Sequence, residues 1–531
     1  MPSRLRIAAV LLLGAAITAE AQHAGHDPQG AAADVMPLHR DALGPFTRAA
    51  GTASTDAQAY FDQGMQLLYS FAPGEAVRSF REAQRRDPRC AMCFWGEAWA
   101  LGPYLNGPMD SADAPAAYAA IGRARELARS GVRPVDRALI EAMAVRYAPT
   151  FDRRERRELD STYAAAMARV YDAHPGDLDV GTLFAESLML LEPRRGTWDI
   201  EKPAVKRIHE VLDAVLDRDR AHPGACHLYV HATESTTEPG RAEACADVLG
   251  NTIPGASHIN HMPSHTFNRI GRWGDAVRAN IQAWHSDLRS ESGGGFAIYP
   301  SHNLHMLLFA ASYDGQGAVA EQAARDYAKI TRGGVFYRAL VLIRFGRFDE
   351  VLELSWGRGD AVQRGLFDFA LGYAHLRLGN ADSARAHLAR VDSAARLEGN
   401  MRGHTAAQLL GITGNILRGE LQRDAGELEA AVAVLERAVA TEDSLRYDEP
   451  EPLTFSARHW LGAALLEAGR AAEAEQVYLA DLERHPRNGW SLIGLEQALR
   501  AQGRAADADT ARRRFEEAWQ RSDTWIRSSR F

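Results

Sequence analysis

Residues 60–88 read YFDQGMQLLYSFAPGEAVRSFREAQRRDP, and this stretch decides the fold of the chain. Its small, apolar and aromatic residues recur at the spacing of two packed helices: Tyr60, Gly64, Leu67, Ala76, Phe80, Ala83 and Pro88. The same order returns near the other end of the chain at Gly462, Leu465, Gly469, Ala474, Tyr478 and Pro486. Gly469 and Gly503 are 34 residues apart, as are Ala474 and Ala508. The pattern predicts helical hairpins that repeat every 34 residues.

A 34-residue period with these positions is the signature of the tetratricopeptide repeat. Further copies centre on Ala242, Ala276, Ala320, Val351, Ala384 and Ala431. Glycine and alanine let helix A of each hairpin approach helix B, while apolar residues spaced by three and four stack against the next hairpin. We therefore predict an all-α fold, an α-solenoid of tetratricopeptide-type hairpins without an independent second domain.

The repeat register divides the chain into segments. We assign residues 1–21 to a signal peptide, 22–50 to an N-terminal tail, 51–109 to N-terminal repeat units, 110–216 to irregular helical repeats, 217–331 to histidine-rich units and 332–531 to C-terminal units.

The first 21 residues have the composition of an export signal. Arg4 and Arg6 precede an apolar run that extends from residue 7 to residue 17. A small-x-small pattern, Ala19-Glu20-Ala21, then predicts cleavage after Ala21. We expect a periplasmic or secreted protein, because no later stretch is apolar over the 18 or more residues that a membrane span needs.

The charge of the chain limits the classes of partner, and its cysteine content limits the disulfides that it can form. The chain of 531 residues carries a formal net charge of −8 and contains no block of five or six basic residues, so we expect no nucleic-acid partner. Its four cysteines are too few for a disulfide framework. Whether Cys90 pairs with Cys93, and Cys226 with Cys245, stays open, as does the oligomeric state.

Histidines are concentrated in one part of the chain. Nine of the 19 lie between His222 and His305. Most of them fall into three sets with helical spacing: His227, His231 and Glu234; His258, His261 and His265; His302 and His305. Side chains three or four residues apart share one face of a helix. The sequence therefore predicts three helices that each present a histidine-bearing face.

The repeat register places all eight side chains on helix A of three consecutive units. In the tetratricopeptide family these slots line the concave groove, so the resemblance implies that the eight side chains face one hollow. Packed helices lie roughly 8–10 Å apart, which lets imidazoles from neighbouring units share an ion. Pro263 falls inside helix A of the middle unit, and we expect it to shorten or kink that helix.

This arrangement predicts a transition-metal site made by His227, His231, His258, His261, His265, His302 and His305. Imidazole ligands without thiolates suit copper, zinc or iron and disfavour a closed structural zinc site. One ion needs fewer than seven imidazoles. Either two ions bind, or some of the histidines do not bind an ion themselves and act on the residues that do. Glu234 is the candidate catalytic residue, as a ligand or a general base beside the ion.

Several motifs outside the repeat signature carry a further resemblance: FDQG at 61–64, FWG at 94–96, AESLM at 185–189, HPGACH at 222–227, HMPSH at 261–265 and EPEP at 449–452. With these motifs the chain resembles a group of exported bacterial tetratricopeptide-repeat proteins. The resemblance implies a solenoid with a histidine-bearing groove and carries over no substrate.

Two functions fit these observations. The first is an exported solenoid whose groove holds a transition-metal site, a metalloenzyme that acts on a small molecule or peptide in the groove. The alternative is a metal-free scaffold that binds a protein or peptide. Scaffold grooves commonly present lysine, arginine and asparagine, whereas this groove presents imidazoles, which favours the metal site.

Overall fold

The computed structural model of the protein describes residues 35–193 and 196–531. The expected signal peptide lies outside these residues. Within them, no helix combines the length and the apolar character needed to cross a membrane.

Helices make up most of the described residues. The first part contains α1 (Thr55–Tyr69), α2 (Pro73–Arg86), α3 (Ala91–Ala100), α4 (Ala114–Leu127), α5 (Pro134–Ala144), α6 (Arg156–Ala173), α7 (Leu178–Met189) and α8 (Pro203–Leu216). The histidine-rich part contains α9 (Pro223–Glu234), α10 (Glu243–Leu249), α11 (Ser257–His261), α12 (Pro263–Ile270), α13 (Trp273–Ser290), α14 (Pro300–Asp314) and α15 (Gly317–Ile330). The C-terminal part contains α16 (Val335–Arg344), α17 (Phe348–Leu352), α18 (Ala361–Arg377), α19 (Ala381–Ala394), α20 (Ala406–Asp424), α21 (Leu428–Asp443), α22 (Arg458–Glu467), α23 (Ala471–Arg484), α24 (Gly489–Ala501) and α25 (Ala505–Ala518).

Consecutive helices pack against each other along the chain, and an α-solenoid results. Short 3₁₀ turns occur at Arg40–Ala42, Ser111–Asp113 and Pro239–Ala242, and the strands β1 (Asn400–Met401) and β2 (His404–Thr405) form one small antiparallel hairpin. The all-α solenoid expected from the repeat pattern is confirmed.

The repeat glycines have a packing role. A Cβ atom on Gly64 would lie 2.6 Å from the Phe80 ring, and one on Gly96 would lie 2.4 Å from the same ring. Phe80 of α2 therefore packs tightly against α1 and α3 at once. Tyr478 takes the same place in the C-terminal part, where Cβ atoms on Gly462 and Gly494 would meet its ring at 2.4 and 2.2 Å. Only glycine allows this close approach.

The middle of the solenoid contacts its C-terminal part. The Trp273 indole N–H donates to the Pro486 carbonyl oxygen over 2.9 Å. Arg521 makes a bidentate ion pair with Asp314 at 2.8 and 2.7 Å. Segments about 200 residues apart in sequence are thus joined, and the C-terminal part is fixed to the units that carry the histidines.

The stretch assigned to an N-terminal tail is packed in its described part. The Gly255 amide donates to the Ala42 carbonyl oxygen at 2.8 Å. Arg48 is 6% exposed and pairs with Asp177 and Asp179, each at 2.8 Å. Buried charges require partners, so these ion pairs fix residues 35–50 to the solenoid.

Local features that the sequence left open are defined by the structure. Pro263 divides helix A of the middle unit into α11 and α12, with Met262 between them, as its missing backbone donor predicts. Cys90 is bonded to Cys93, and Cys226 is bonded to Cys245.

Candidate metal centre

Four helices bring six of the seven candidate histidines together. α9 contributes His227 and His231, α11 contributes His258 and His261, α12 contributes His265, and α14 contributes His302. They form a first histidine group of His227, His231 and His258 and a second histidine group of His261, His265 and His302. In each group, one ring nitrogen per histidine lies within 4.8 Å of the others.

In the first histidine group, two rings are oriented by acceptors on Nδ1. His227 Nδ1 contacts the Tyr69 carbonyl oxygen at 2.5 Å, and His231 Nδ1 contacts Glu234 Oε1 at 2.8 Å. A carboxylate or carbonyl at Nδ1 places the proton there and leaves Nε2 with a free lone pair. Nε2 of both rings, and both nitrogens of His258, are buried without a hydrogen-bond partner.

The second histidine group is oriented in the same manner. His261 Nδ1 lies 2.7 Å from Asn280 Oδ1, and the Asn280 amide group donates to the Ala276 carbonyl oxygen. This second bond identifies Oδ1 as the atom that accepts from His261, so His261 Nε2 has a free lone pair. His265 Nδ1 contacts Glu234 Oε2, and its Nε2 points at His261 Nε2 over 2.7 Å. One proton bridges these two nitrogens in the metal-free protein.

Glu234 joins the two histidine groups. One of its carboxylate oxygens accepts from His231 and the other from His265, and the side chain is buried. Burial alone would raise the pKa of Glu234, but the His265 and His231 imidazoles lower it well below its usual range. Burial would lower the pKa of His265, but the Glu234 carboxylate raises it to about 10. A carboxylate and an imidazolium therefore form a buried ion pair.

Five other rings are held in the neutral form. Burial lowers the pKa of five histidines below the ordinary imidazole value: His227, His258, His261, His302 and His305. Neighbouring imidazoles add to the effect for the first four, and the Arg402 guanidinium adds to it for His302 and His305. Neutral imidazole is the form that binds a metal ion.

A second carboxylate reaches the site from a distant part of the sequence. Residues 447–451 (YDEPE), here named the acidic strap, lie between α21 and α22. Glu449 Oε2 is 3.7 Å from His265 Nδ1 and has no hydrogen-bond partner, and Glu449 forms a third candidate group with His231 and Glu234. Asp448 anchors the strap by a bidentate pair with Arg402 at 2.6 and 2.8 Å. The EPEP motif that contains Glu449 is evident in the sequence, but its pattern alone indicates no role at the histidines.

Residues with an unusual backbone surround the histidines. Four non-glycine residues among those described have a positive φ, and three are near the site: Phe71, Tyr299 and Arg402. The Phe71 ring lies 4.1 Å from the His227 ring and 5.6 Å from the His258 ring, and Tyr299 contacts His258 at 5.0 Å. Such backbone conformations cost about 1–3 kcal/mol each and concentrate at functional sites.

The structure differs from the expected open groove in two respects. His227 and His261 are 1% and 0% exposed, because Phe71 and the acidic strap cover the histidine-bearing faces. His305 belongs to neither histidine group: its ring packs 4.4 Å from that of Tyr337. Glu234 has both oxygens engaged by histidines, an arrangement that favours a positioning role over that of a general base.

The fold and the site together define a tetratricopeptide-type solenoid that encloses a buried histidine cluster. No protein-family description matches the sequence, and no curated protein matches it. The human IFIT1 dimer with m7Gppp-AAAA is similar over 88% of this chain and 91% of its own, at 11% identity and a TM-score of 0.31. The P58(IPK) TPR domain is similar over 85% of this chain and 99% of its own, at 12% identity and a TM-score of 0.21. At these values the comparisons concern only the helical-repeat fold.

Replacing His265 by alanine should weaken the fold without removing its helices. The substitution removes one member of a buried ion pair, and such a loss costs about 3–5 kcal/mol. Helical content by circular dichroism should stay nearly unchanged at 25 °C, because each repeat is stabilised by its neighbours. A largely unfolded variant at that temperature would mean that the histidines form part of the folding core.

Proposed function

We propose that this protein is a metalloprotein that holds transition-metal ions in the two histidine groups. One observation carries the proposal: in the first histidine group, Nε2 of His227 and His231 and both ring nitrogens of His258 converge, buried and without hydrogen-bond partners, while acceptors hold Nδ1 of His227 and His231. An unpartnered buried polar atom costs about 1–3 kcal/mol. Several of them in one place are explained if a cation binds between them.

The ligand types narrow the choice of ion. The six side chains of the two histidine groups are imidazoles, and all four cysteines are engaged in disulfides elsewhere. Imidazole donors suit copper, zinc and iron, whereas calcium and magnesium require oxygen ligands. Carboxylates that accept from the Nδ1 of a ligating histidine are typical of metal sites, and Glu234 serves two histidines in this manner.

We further propose that the protein is an exported enzyme that uses these ions on a small substrate or peptide. Strained residues beside the histidines and the Glu449 carboxylate, whose Oε2 accepts no hydrogen bond, support an active site. The apolar run after Arg4 and Arg6 and the two disulfides support an oxidising compartment, the periplasm or the exterior.

Metal analysis of the purified protein tests the proposal. After loading with copper or zinc and dialysis, we expect about one or two equivalents per chain, since one group of three imidazoles suffices for one ion. Replacing all three histidines of the first group by asparagine should lower the content by about one equivalent. His305→Asn is the matched control, because His305 lies on α14 with His302 but outside both groups.

Metal content below about 0.2 equivalents with both ions would contradict the proposal, since a site of three neutral imidazoles retains such ions. The metal-free scaffold would then be the better interpretation. An equal loss of metal in the His305→Asn variant would show that the ions bind elsewhere.

A further inference from the structure

The two histidine groups are in direct ring contact with each other. His231 and His265 have ring centroids 5.8 Å apart, and His258 and His261 have centroids 5.7 Å apart. Within the groups, the centroid distances span 4.6 to 6.3 Å. The closest rings of the two groups are therefore as near to each other as rings within one group. Ions in both groups would be neighbours, as in two-metal sites, where they are about 3.5–4 Å apart.

One carboxylate orients a ligand in each group. Glu234 accepts from His231 of the first histidine group and from His265 of the second. Both its oxygens are thus committed to holding the rings. The groups are connected by a rigid hydrogen-bonded bridge and form a single unit.

The surroundings favour a small apolar reactant. Phe71 packs on three rings of the site, those of His227, His231 and His258. A cavity beside His227 has room for one molecule of about the size of water, and its lining combines apolar side chains, among them Leu68 and Leu183, with Thr182 and Glu186. Phe71 and these apolar side chains give the first histidine group an apolar neighbourhood, and dioxygen is a small apolar molecule.

We propose that the two histidine groups hold a coupled pair of copper ions that reacts with dioxygen. The inference rests on the proposed metal site and adds the identity of the ions, their pairing and the reactant. Three imidazoles per ion suit copper in both of its common oxidation states, and in the second group the ion would displace the proton that bridges His261 and His265. Paired ions can supply two electrons together, which a single copper ion cannot.

The reaction balances with named reactants. Each Cu(I) gives up one electron and becomes Cu(II). One dioxygen accepts the two electrons and, with two protons from water, leaves as hydrogen peroxide. Ascorbate, supplied from outside, returns both ions to Cu(I).

Anaerobic loading with Cu(I), followed by addition of oxygenated buffer, tests the pairing. We expect about two copper ions per chain and about one dioxygen consumed per two ions. After oxidation, the paramagnetic resonance signal should be broadened and should fall short of its full intensity, because neighbouring Cu(II) ions interact through their unpaired electrons. Zinc-loaded protein should bind two ions and consume no dioxygen.

Single substitutions separate a pair from two independent sites. His258→Asn and His302→Asn each remove a ligand from one group. Each variant should retain about one copper ion with a full resonance signal and lose the stoichiometric uptake of dioxygen. His305→Asn should behave like the unchanged protein, which controls for the loss of a buried imidazole from α14.

Two results would overturn the pairing. Two copper ions with full resonance intensity would show independent sites, and the proposed metal site would stand without the pair. Binding of zinc but not of copper would also reject the copper pair while leaving the metal site intact. If neither ion binds, the metal site itself fails, and the pair fails with it.

Discussion

Replacing Glu234 by glutamine is expected to weaken metal binding by about 10–100-fold and to destabilise the metal-free protein by about 3–5 kcal/mol. The glutamine oxygen can still accept from one histidine, but its amino group then faces the Nδ1 of the other. That ring must become an acceptor at Nδ1 and carry its proton on Nε2, the atom that would bind the ion. The His265 imidazolium also loses its carboxylate partner.

Competition with a chelator measures the first effect, and urea unfolding of the metal-free protein measures the second. Glu238→Gln is the control, because Glu238 follows α9 closely in sequence but is exposed. Unchanged affinity and stability combined with a fall in turnover of about 10²–10⁴-fold would instead identify Glu234 as the general base.

The metal-free protein should lose stability steeply as the pH falls below about 6.5, the ordinary pKa of imidazole. Five buried histidines have a lowered pKa: His227, His258, His261, His302 and His305. They stay neutral in the folded protein but take up protons on unfolding. The unfolded state then binds more protons, so acid favours it. Each such imidazole contributes about 1.4 kcal/mol per pH unit.

Two further groups in the site affect stability at other pH values. His265 stabilises the protein less as the pH rises, and Glu234 acts only at a lower pH than the five histidines. The pKa of His265 is raised to about 10, so its contribution is fully present below about pH 6.5 and is lost as the pH rises towards 10. The lowered pKa of Glu234 gives a contribution that is present above about pH 4.5 and lost below it. Together with the five neutral histidines, these groups predict greatest stability slightly above pH 7, at about pH 7.2.

Urea unfolding between pH 5 and pH 8 measures this dependence. In the double variant His258→Asn/His302→Asn, unfolding should take up about two fewer protons below pH 6. The slope of the free energy of unfolding against pH should therefore fall by roughly 2.8 kcal/mol per pH unit. His285→Asn should leave the slope unchanged, because His285 is exposed on α13. Equal slopes in the unchanged protein and the double variant would show that the buried histidines do not govern the acid sensitivity.

Local sequence rules were sufficient for the fold. Gly64 and Phe80, like Gly462 and Tyr478, occur at repeat positions because a ring of helix B needs a helix A without a side chain at the point of contact. The helix break at Pro263 likewise follows from a single residue, since proline lacks a backbone donor.

The sequence also indicated most of the candidate site. Spacings of three and four residues place side chains on one helical face, and the register puts those faces on neighbouring units. Six of the seven proposed histidines, with Glu234, do come together. Spacing does not distinguish His302 from His305, because residues three apart point in directions about 60° different. Tyr337 occupies the side to which His305 turns.

By itself, the sequence determined the helical repeat and the histidine-bearing faces, because both depend on residues close together along the chain. Only the tertiary structure decided what closes over those faces. Phe71 is in a loop between helices, and Glu449 lies 215 residues after Glu234. Their positions depend on backbone conformations and on contacts such as Glu449–His265, which join residues 184 apart in sequence. No local period records such contacts, and they turn an expected open groove into a buried cluster.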